Sequence, residues 1–115
     1  MYHFSYAEVL DDAPKDARER ERMAIDRAVE MLELAEAKGI KSREAAEALT
    51  FVRRLWGMLI EDLASAENDL PKALRADLIS IGLWIMREAE QIRIENSNNF
   101  RGLIDVIKAV GAGLR

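Results

Sequence analysis

The middle of the chain has the clearest pattern of apolar and polar positions. Between residues 43 and 64, apolar side chains recur at steps of three and four residues, with charged residues between them. Because an α-helix turns by about 100° per residue, this spacing places the apolar side chains on one face. They are Ala45, Ala48, Leu49, Val52, Leu55, Trp56, Leu59, Ile60 and Leu63. The pattern predicts an amphipathic helix with one buried face.

Two shorter stripes predict helices near the two ends of the chain. One lies within residues 14–38 and the other within residues 100–114. The first contains Ala24, Ala28, Met31, Leu32 and Ala35, and the second contains Phe100, Leu103, Ile104, Ile107, Val110 and Leu114.

The remaining segment, residues 71–95, is apolar on nearly every side in its middle. A helix of this kind is usually buried on several sides. We therefore expect it to be the most buried element, with Ile81, Trp84 and Ile85 largely inaccessible to water. The alternative is that part of this surface faces another chain, and the spacing leaves both interpretations open.

Residues that start or end helices separate these segments. Gly39 is typical of a left-handed helix end, and Ser42 is typical of the N-cap that follows. Pro71 suits a first helical turn, where its missing N–H costs little. The predicted elements are an N-terminal arm over 1–13 and helices over about 14–38, 43–64, 71–95 and 100–114, with Asp12 and either Asn98 or Asn99 as the other N-caps.

These elements predict the fold class. At 115 residues the chain has the length of a single domain, 1–115. No segment shows the sustained alternation of a half-buried strand. Short connections make neighbouring helices antiparallel. We expect an all-α protein, a compact bundle of about four helices preceded by the arm.

The arm is rich in aromatic residues. Tyr2, Phe4 and Tyr6 are three of the seven Phe, Trp and Tyr residues, and the single histidine, His3, lies among them. The first residues lack positive charge and acidic residues interrupt the apolar run, which argues against a secretory signal. Two placements of the rings stay open: on the bundle of their own chain, or on a partner protein.

Composition narrows the function. The net charge of −4 and the pI of about 5.1 argue against direct nucleic-acid binding. With one histidine, no cysteine and no glycine-rich phosphate loop, we expect no metal, no cofactor and no enzymatic activity. The longest apolar run, LISIGLWIM, is far shorter than the roughly 20 residues that span a bilayer. A soluble, cytoplasmic protein that binds another protein fits these features.

Four apolar residues lie outside the main stripes: Met23 and Leu34 on the first helix, and Phe51 and Met58 on the second. Methionine fills gaps in cores, and it also suits adaptable binding surfaces. A contiguous group of exposed apolar side chains marks an interaction site. We predict that most of the partner-binding surface consists of Tyr2, Phe4, Tyr6, Met23, Leu34, Phe51 and Met58.

The order of longer sequence blocks carries a family resemblance. An arm containing SYAEVLDDAP leads into an Arg- and Glu-rich helix, and SREAAEALTFVRRLWGMLIEDLA follows. LPKALRADLISIGLWIMREAE and SNNFRGLIDVI come next, before a terminal GLR. This arrangement resembles the flagellar biosynthesis regulator FlaF family over residues 2–115.

The resemblance implies a cytoplasmic flagellin-binding chaperone and assembly factor. Such a protein promotes flagellin secretion and couples flagellin synthesis to flagellum assembly. The alternative is a post-transcriptional regulator of flagellin mRNA translation, acting with an FlbT-like partner. A third reading is a structural homo-oligomer whose spare apolar surface meets itself.

Overall fold

Four α-helices form the part of the chain described by the computed structural model, which covers residues 6–113, with side chains from residue 17 onward. Helix α1 spans Tyr6–Lys38, α2 spans Arg43–Ala64, α3 spans Lys72–Arg93 and α4 spans Phe100–Gly113. Residues 6–113 contain no strand. The predicted all-α bundle of four helices is confirmed.

Helix α1 begins earlier than predicted. The sequence places its start near Pro14 with Asp12 as N-cap, whereas α1 already begins at Tyr6. A proline inside a helix removes one backbone hydrogen bond and costs about 3 kcal/mol. The surrounding segment contains good helix formers, including alanine and glutamate, which favour continuing the helix on both sides of it. The stretch 6–13 therefore belongs to α1.

The helix ends agree with the local sequence signals. Gly39 has a φ of 102°, and its N–H donates to the Ala35 carbonyl over 2.8 Å. The Ser42 hydroxyl oxygen accepts from the Ala45 N–H over 3.1 Å and donates to the Gly39 carbonyl over 2.6 Å. At α4 the N-cap is Asn99, whose side-chain oxygen accepts from the Gly102 N–H over 3.1 Å.

The four helices pack in a ring. Helix α1 lies between α2 and α4, and α3 lies between α2 and α4, with the α3–α4 interface the smallest of the four. The core is formed where the inner faces meet, as expected for a bundle. Its largest fully buried side chains are Ile25, Leu32, Val52, Ile85, Ile92, Leu103, Ile104 and Ile107.

Helix α3 is not the most buried element, so that prediction is wrong. Ile85 is fully buried, but Ile81 and Trp84 are only half-buried and Leu83 is 48% exposed. The reason is that α3 has α2 on one side and the shorter α4 on the other, so only one of its faces reaches the core. Trp56 of α2, at 3% exposed, is the deeply buried tryptophan.

A glycine allows α3 to approach α2 closely. A Cβ atom at Gly82 would lie 3.0 Å from Cγ1 of Ile60 and 3.0 Å from Cδ1 of Trp56. Such distances are shorter than ordinary carbon–carbon contacts of about 3.5–4.0 Å. The missing side chain at Gly82 therefore lets Trp56 pack against the α3 backbone.

Candidate functional site: the α1–α2 seam

The outer groove between α1 and α2, which we call the α1–α2 seam, contains two surface depressions. The first has a volume of about 360 Å³, and the second has a volume of about 230 Å³. The first is lined by Ala17, Arg20, Glu21, Ala24, Leu55, Met58, Leu59 and Asp62, and the second by Arg27, Glu30, Met31, Leu34, Glu44 and Glu47.

The two depressions belong to one continuous face of α2. Glu44, Glu47, Phe51, Leu55 and Met58 follow each other at steps of three or four residues, which keeps them on one side of the helix. Asp62 continues the same series. From Glu44 to Asp62, at a rise of 1.5 Å per residue, this face is about 27 Å long.

The structure places two of the predicted site residues in the seam, one in each depression, and a third between them along α2. Met58 is 63% exposed and lines the first depression, and Leu34 is 49% exposed and lines the second. Phe51 lies between them along α2 but is half-buried against the core. Its ring therefore contributes to stability as well as to the surface.

The other predicted residues are not part of this groove as described. Met23 is as exposed as Met58 but lines neither depression. Tyr2 and Phe4 lie outside the described residues, and Tyr6 starts α1 without a described side chain. The proposed contribution of these residues stays a prediction.

Glu21 is electrostatically the most distinctive residue of the seam. Burial raises the pKa of its carboxyl group, and the nearby Asp62 carboxylate raises it further. The Arg18 guanidinium opposes this shift. Ionised Glu21 is therefore less stable here than in water, which favours a cation or a hydrogen-bond donor beside it.

Glu21 also borders a third, smaller depression at the end of the bundle. This depression has a volume of about 70 Å³ and is mainly apolar, with Trp56, Leu59 and Leu63 from α2. Leu70 and Leu78 come from the α3 side, and Val110 comes from α4. Its small volume fits a single side chain rather than a helix.

Sequence reasoning missed two polar residues that form hydrogen bonds at the C-terminal end of α2, beside this depression. The Asn68 side-chain amide donates over 3.2 Å to both the backbone oxygen and a carboxylate oxygen of Asp62. Arg75 donates to the carbonyls of Leu63 over 3.5 Å and Ser65 over 3.2 Å. Asparagine in a polar turn and a cation near a helix C-terminus are the signals that point to them.

Exposed apolar side chains also lie on the outer surface of α3 and at its C-terminal end, although Leu74 and Leu83, nine residues apart, face opposite sides of the helix. Leu74, Leu83 and Ile94 are each exposed by more than two-fifths. The sequence had pointed to side chains of this kind, because the middle of α3 is apolar on nearly every side. Contact with another chain was one of the two interpretations of that pattern. These side chains are separated from the α1–α2 seam, because α3 does not pack against α1.

The described residues offer neither a metal-binding cluster nor a membrane-spanning helix. No cluster of histidine, cysteine, aspartate or glutamate within residues 6–113 has an arrangement that would hold a metal ion. Among the described helices, none has the length and apolar character needed to cross a membrane.

Comparison with known proteins defines the family. No curated protein and no solved structure matches the chain. The sequence profile of the family described as "Flagellar protein FlaF" matches residues 2–114, essentially the whole chain. This match confirms the resemblance carried by the sequence blocks. The chain therefore belongs to the FlaF family of flagellar proteins, and its role is a flagellar one.

Proposed function

We propose that this protein is a flagellin-binding chaperone and assembly factor, which promotes flagellin secretion and couples flagellin synthesis to flagellum assembly. The single observation that carries the proposal is the exposed apolar α1–α2 seam on a chain of a flagellar protein family. The seam supplies the kind of surface that binding to an unassembled subunit requires.

Physical chemistry supports a protein ligand for this groove. Exposed Met58 and Leu34 gain free energy when a partner covers them, at about 25 cal/mol for each Å² of apolar surface removed from water. The flexible Met58 side chain adapts to different partner shapes. Amphipathic terminal segments of flagellin, which become buried only in the filament, fit such a groove by helix-in-groove packing.

Two matched pairs of substitutions test the proposal. Leu34 and Leu83 are equally exposed, and so are Met58 and Met23, but only Leu34 and Met58 line the seam. Binding of purified full-length flagellin is measured by isothermal titration calorimetry. We expect Leu34→Ser and Met58→Ser each to weaken binding by about tenfold, which corresponds to the loss of one well-buried apolar contact.

The two control substitutions show how far the flagellin-binding surface extends beyond the seam. Leu83→Ser on α3 is expected to bind flagellin like the wild type. All four variants are expected to remain folded, with melting temperatures lowered by only a few degrees, because about half or more of each side chain is exposed. Equal weakening by Met23→Ser would extend the site across α1. Failure of the wild type to bind flagellin would refute the proposed function.

The α3 surface favours a second candidate function. A regulator that acts on flagellin mRNA through an FlbT-like partner needs an apolar protein-binding surface rather than a basic one, and the exposed Leu83 on α3 offers an apolar contact for such a partner. The net charge of −4 disfavours direct contact with RNA. Under this alternative, Leu83→Ser changes flagellin translation in cells while flagellin binding in vitro stays unchanged.

A further inference from the structure

The apolar seam has a mainly acidic border. Around Leu34 the border contains Glu30, Glu44 and Glu47, with Arg27 as the basic residue. Around Met58 it contains Glu21 and Asp62, with Arg20 as the basic residue. At the Leu34 end, three carboxylates lie beside one cation, whereas at the Met58 end Arg18, which acts on Glu21, joins Arg20 and balances the two carboxylates.

The carboxylates near Leu34 have no ion-pair partner among the side chains that the structure describes. Glu30, Glu44 and Glu47 form no hydrogen bond or ion pair between side chains in the described part of the molecule. The other helix pairs differ: Arg101 lies 2.6 Å from Glu36 between α4 and α1, and Arg53 lies 3.4 Å from Glu90 between α2 and α3.

This contrast favours a ligand of opposite charge at the seam. Carboxylates placed beside an apolar groove steer a ligand of opposite charge and set its orientation, whereas the apolar floor supplies most of the affinity. Glu21 supports the same preference, because a cation beside its carboxylate would offset the cost of burial and the repulsion from Asp62, which together raise its pKa.

We infer that the α1–α2 seam binds one amphipathic helix whose apolar stripe is flanked by lysine or arginine. The inference rests on the proposed function, in which that helix is a segment of flagellin. A face of about 27 Å accommodates roughly 18 helical residues. The depressions at Met58 and Leu34 then receive apolar side chains from the two halves of that helix.

The charges disfavour two other occupants. In a symmetric dimer through this seam, the acidic borders of two copies would face each other, and like charges placed together cost binding free energy. A membrane surface rich in anionic lipids repels the same carboxylates. A basic partner helix is the occupant that complements both the apolar floor and its border.

Peptides with a common apolar stripe test the inference. Two fluorescent 18-residue amphipathic peptides carry the same leucine stripe, flanked either by lysine or by glutamate, and their binding to the full-length protein is measured by fluorescence anisotropy. We expect the lysine-flanked peptide to bind about tenfold more tightly than the glutamate-flanked one, with a preference that declines as salt is added.

Charge reversal locates the preference on the seam. Glu30→Lys/Glu47→Lys is expected to abolish or invert the preference between the peptides. The control Glu67→Lys/Glu95→Lys makes the same change in net charge at exposed positions outside the seam, and it is expected to keep most of the preference. A similar loss in both variants would overturn the inference, because it would show a general charge effect.

The remaining outcomes separate the inference from the proposed function. If flagellin binds but neither peptide is preferred, or neither binds, the inference is wrong and the proposed function stands. If the lysine-flanked peptide is preferred but flagellin does not bind, the proposed function is wrong. Light scattering tests whether a second copy occupies the seam. If the wild type is a dimer and Glu30→Lys/Glu47→Lys changes that state, the occupant is a second copy and the inference is overturned.

Discussion

Two leucines on α1 provide a direct test of which face of this helix is structural. Leu32 is fully buried, whereas Leu34, two positions further along, is about half exposed and lines the α1–α2 seam. Two residues correspond to a rotation of about 200° around the helix axis. Replacing each leucine by alanine therefore makes the same chemical change on nearly opposite sides of α1.

The expected costs differ severalfold. Removing a fully buried leucine side chain loses its transfer free energy and leaves a cavity, which together cost about 3–4 kcal/mol. Leu34 has only about half of its surface to lose, so Leu34→Ala costs about 1 kcal/mol at most. Alanine also has a slightly higher helix propensity than leucine, which offsets a few tenths of a kcal/mol at the exposed position.

Urea unfolding followed by tryptophan fluorescence measures the difference, since Trp56 is buried and reports loss of the core. With a urea m-value of about 1.5 kcal/mol/M, Leu32→Ala should lower the midpoint by roughly 2 M and Leu34→Ala by less than about 0.7 M. Flagellin binding should show the opposite order: folded Leu32→Ala binds like the wild type, whereas Leu34→Ala binds up to about tenfold more weakly. Equal midpoint shifts would show that the assignment of the two faces is wrong.

Three further predictions concern a helix cap, a close contact and a titrating group. Ser42→Ala should lower the free energy of unfolding by about 1 kcal/mol, because the Ala45 N–H loses its hydrogen-bond acceptor. Ser42→Asp supplies another acceptor and should keep most of the wild-type stability, and chemical denaturation measures both variants. Gly82→Val should cost about 1–3 kcal/mol by forcing α3 away from α2, and a thermal melt no lower than that of the wild type would contradict the packing described at this position. Glu21→Gln should stabilise the protein at pH 7, because the raised pKa of Glu21 means that folding disfavours its ionised form. The gain in the free energy of unfolding should grow as the pH rises above the ordinary glutamate pKa of 4.5 and disappear below it. A gain that is the same at pH 4 and pH 7 would refute this prediction.

Local sequence signals were sufficient for the helices and most of their ends. The three- and four-residue spacing predicted three of the helices, and the apolar segment that follows Pro71 predicted α3. Gly39, Ser42 and Asn99, the last as one of two alternatives, marked helix ends that the structure confirms. These features are readable because periodicity and capping involve residues within a few positions of each other. The start of α1 is the exception, since the sequence signals at Asp12 and Pro14 favoured a boundary that the helix does not have.

Burial and the composition of the binding groove depended on the arrangement of the helices. Both tryptophans lie on strongly apolar helices, yet Trp56 is buried and Trp84 is half-buried because α3 has less covering on its α4 side. Likewise, the sequence identified Leu34 and Met58 as apolar residues outside their stripes, but only the packing of α1 on α2 placed them in one groove and left Met23 outside it. The acidic border is also assembled from both helices. Such features arise from contacts between residues far apart in sequence, which no local spacing encodes.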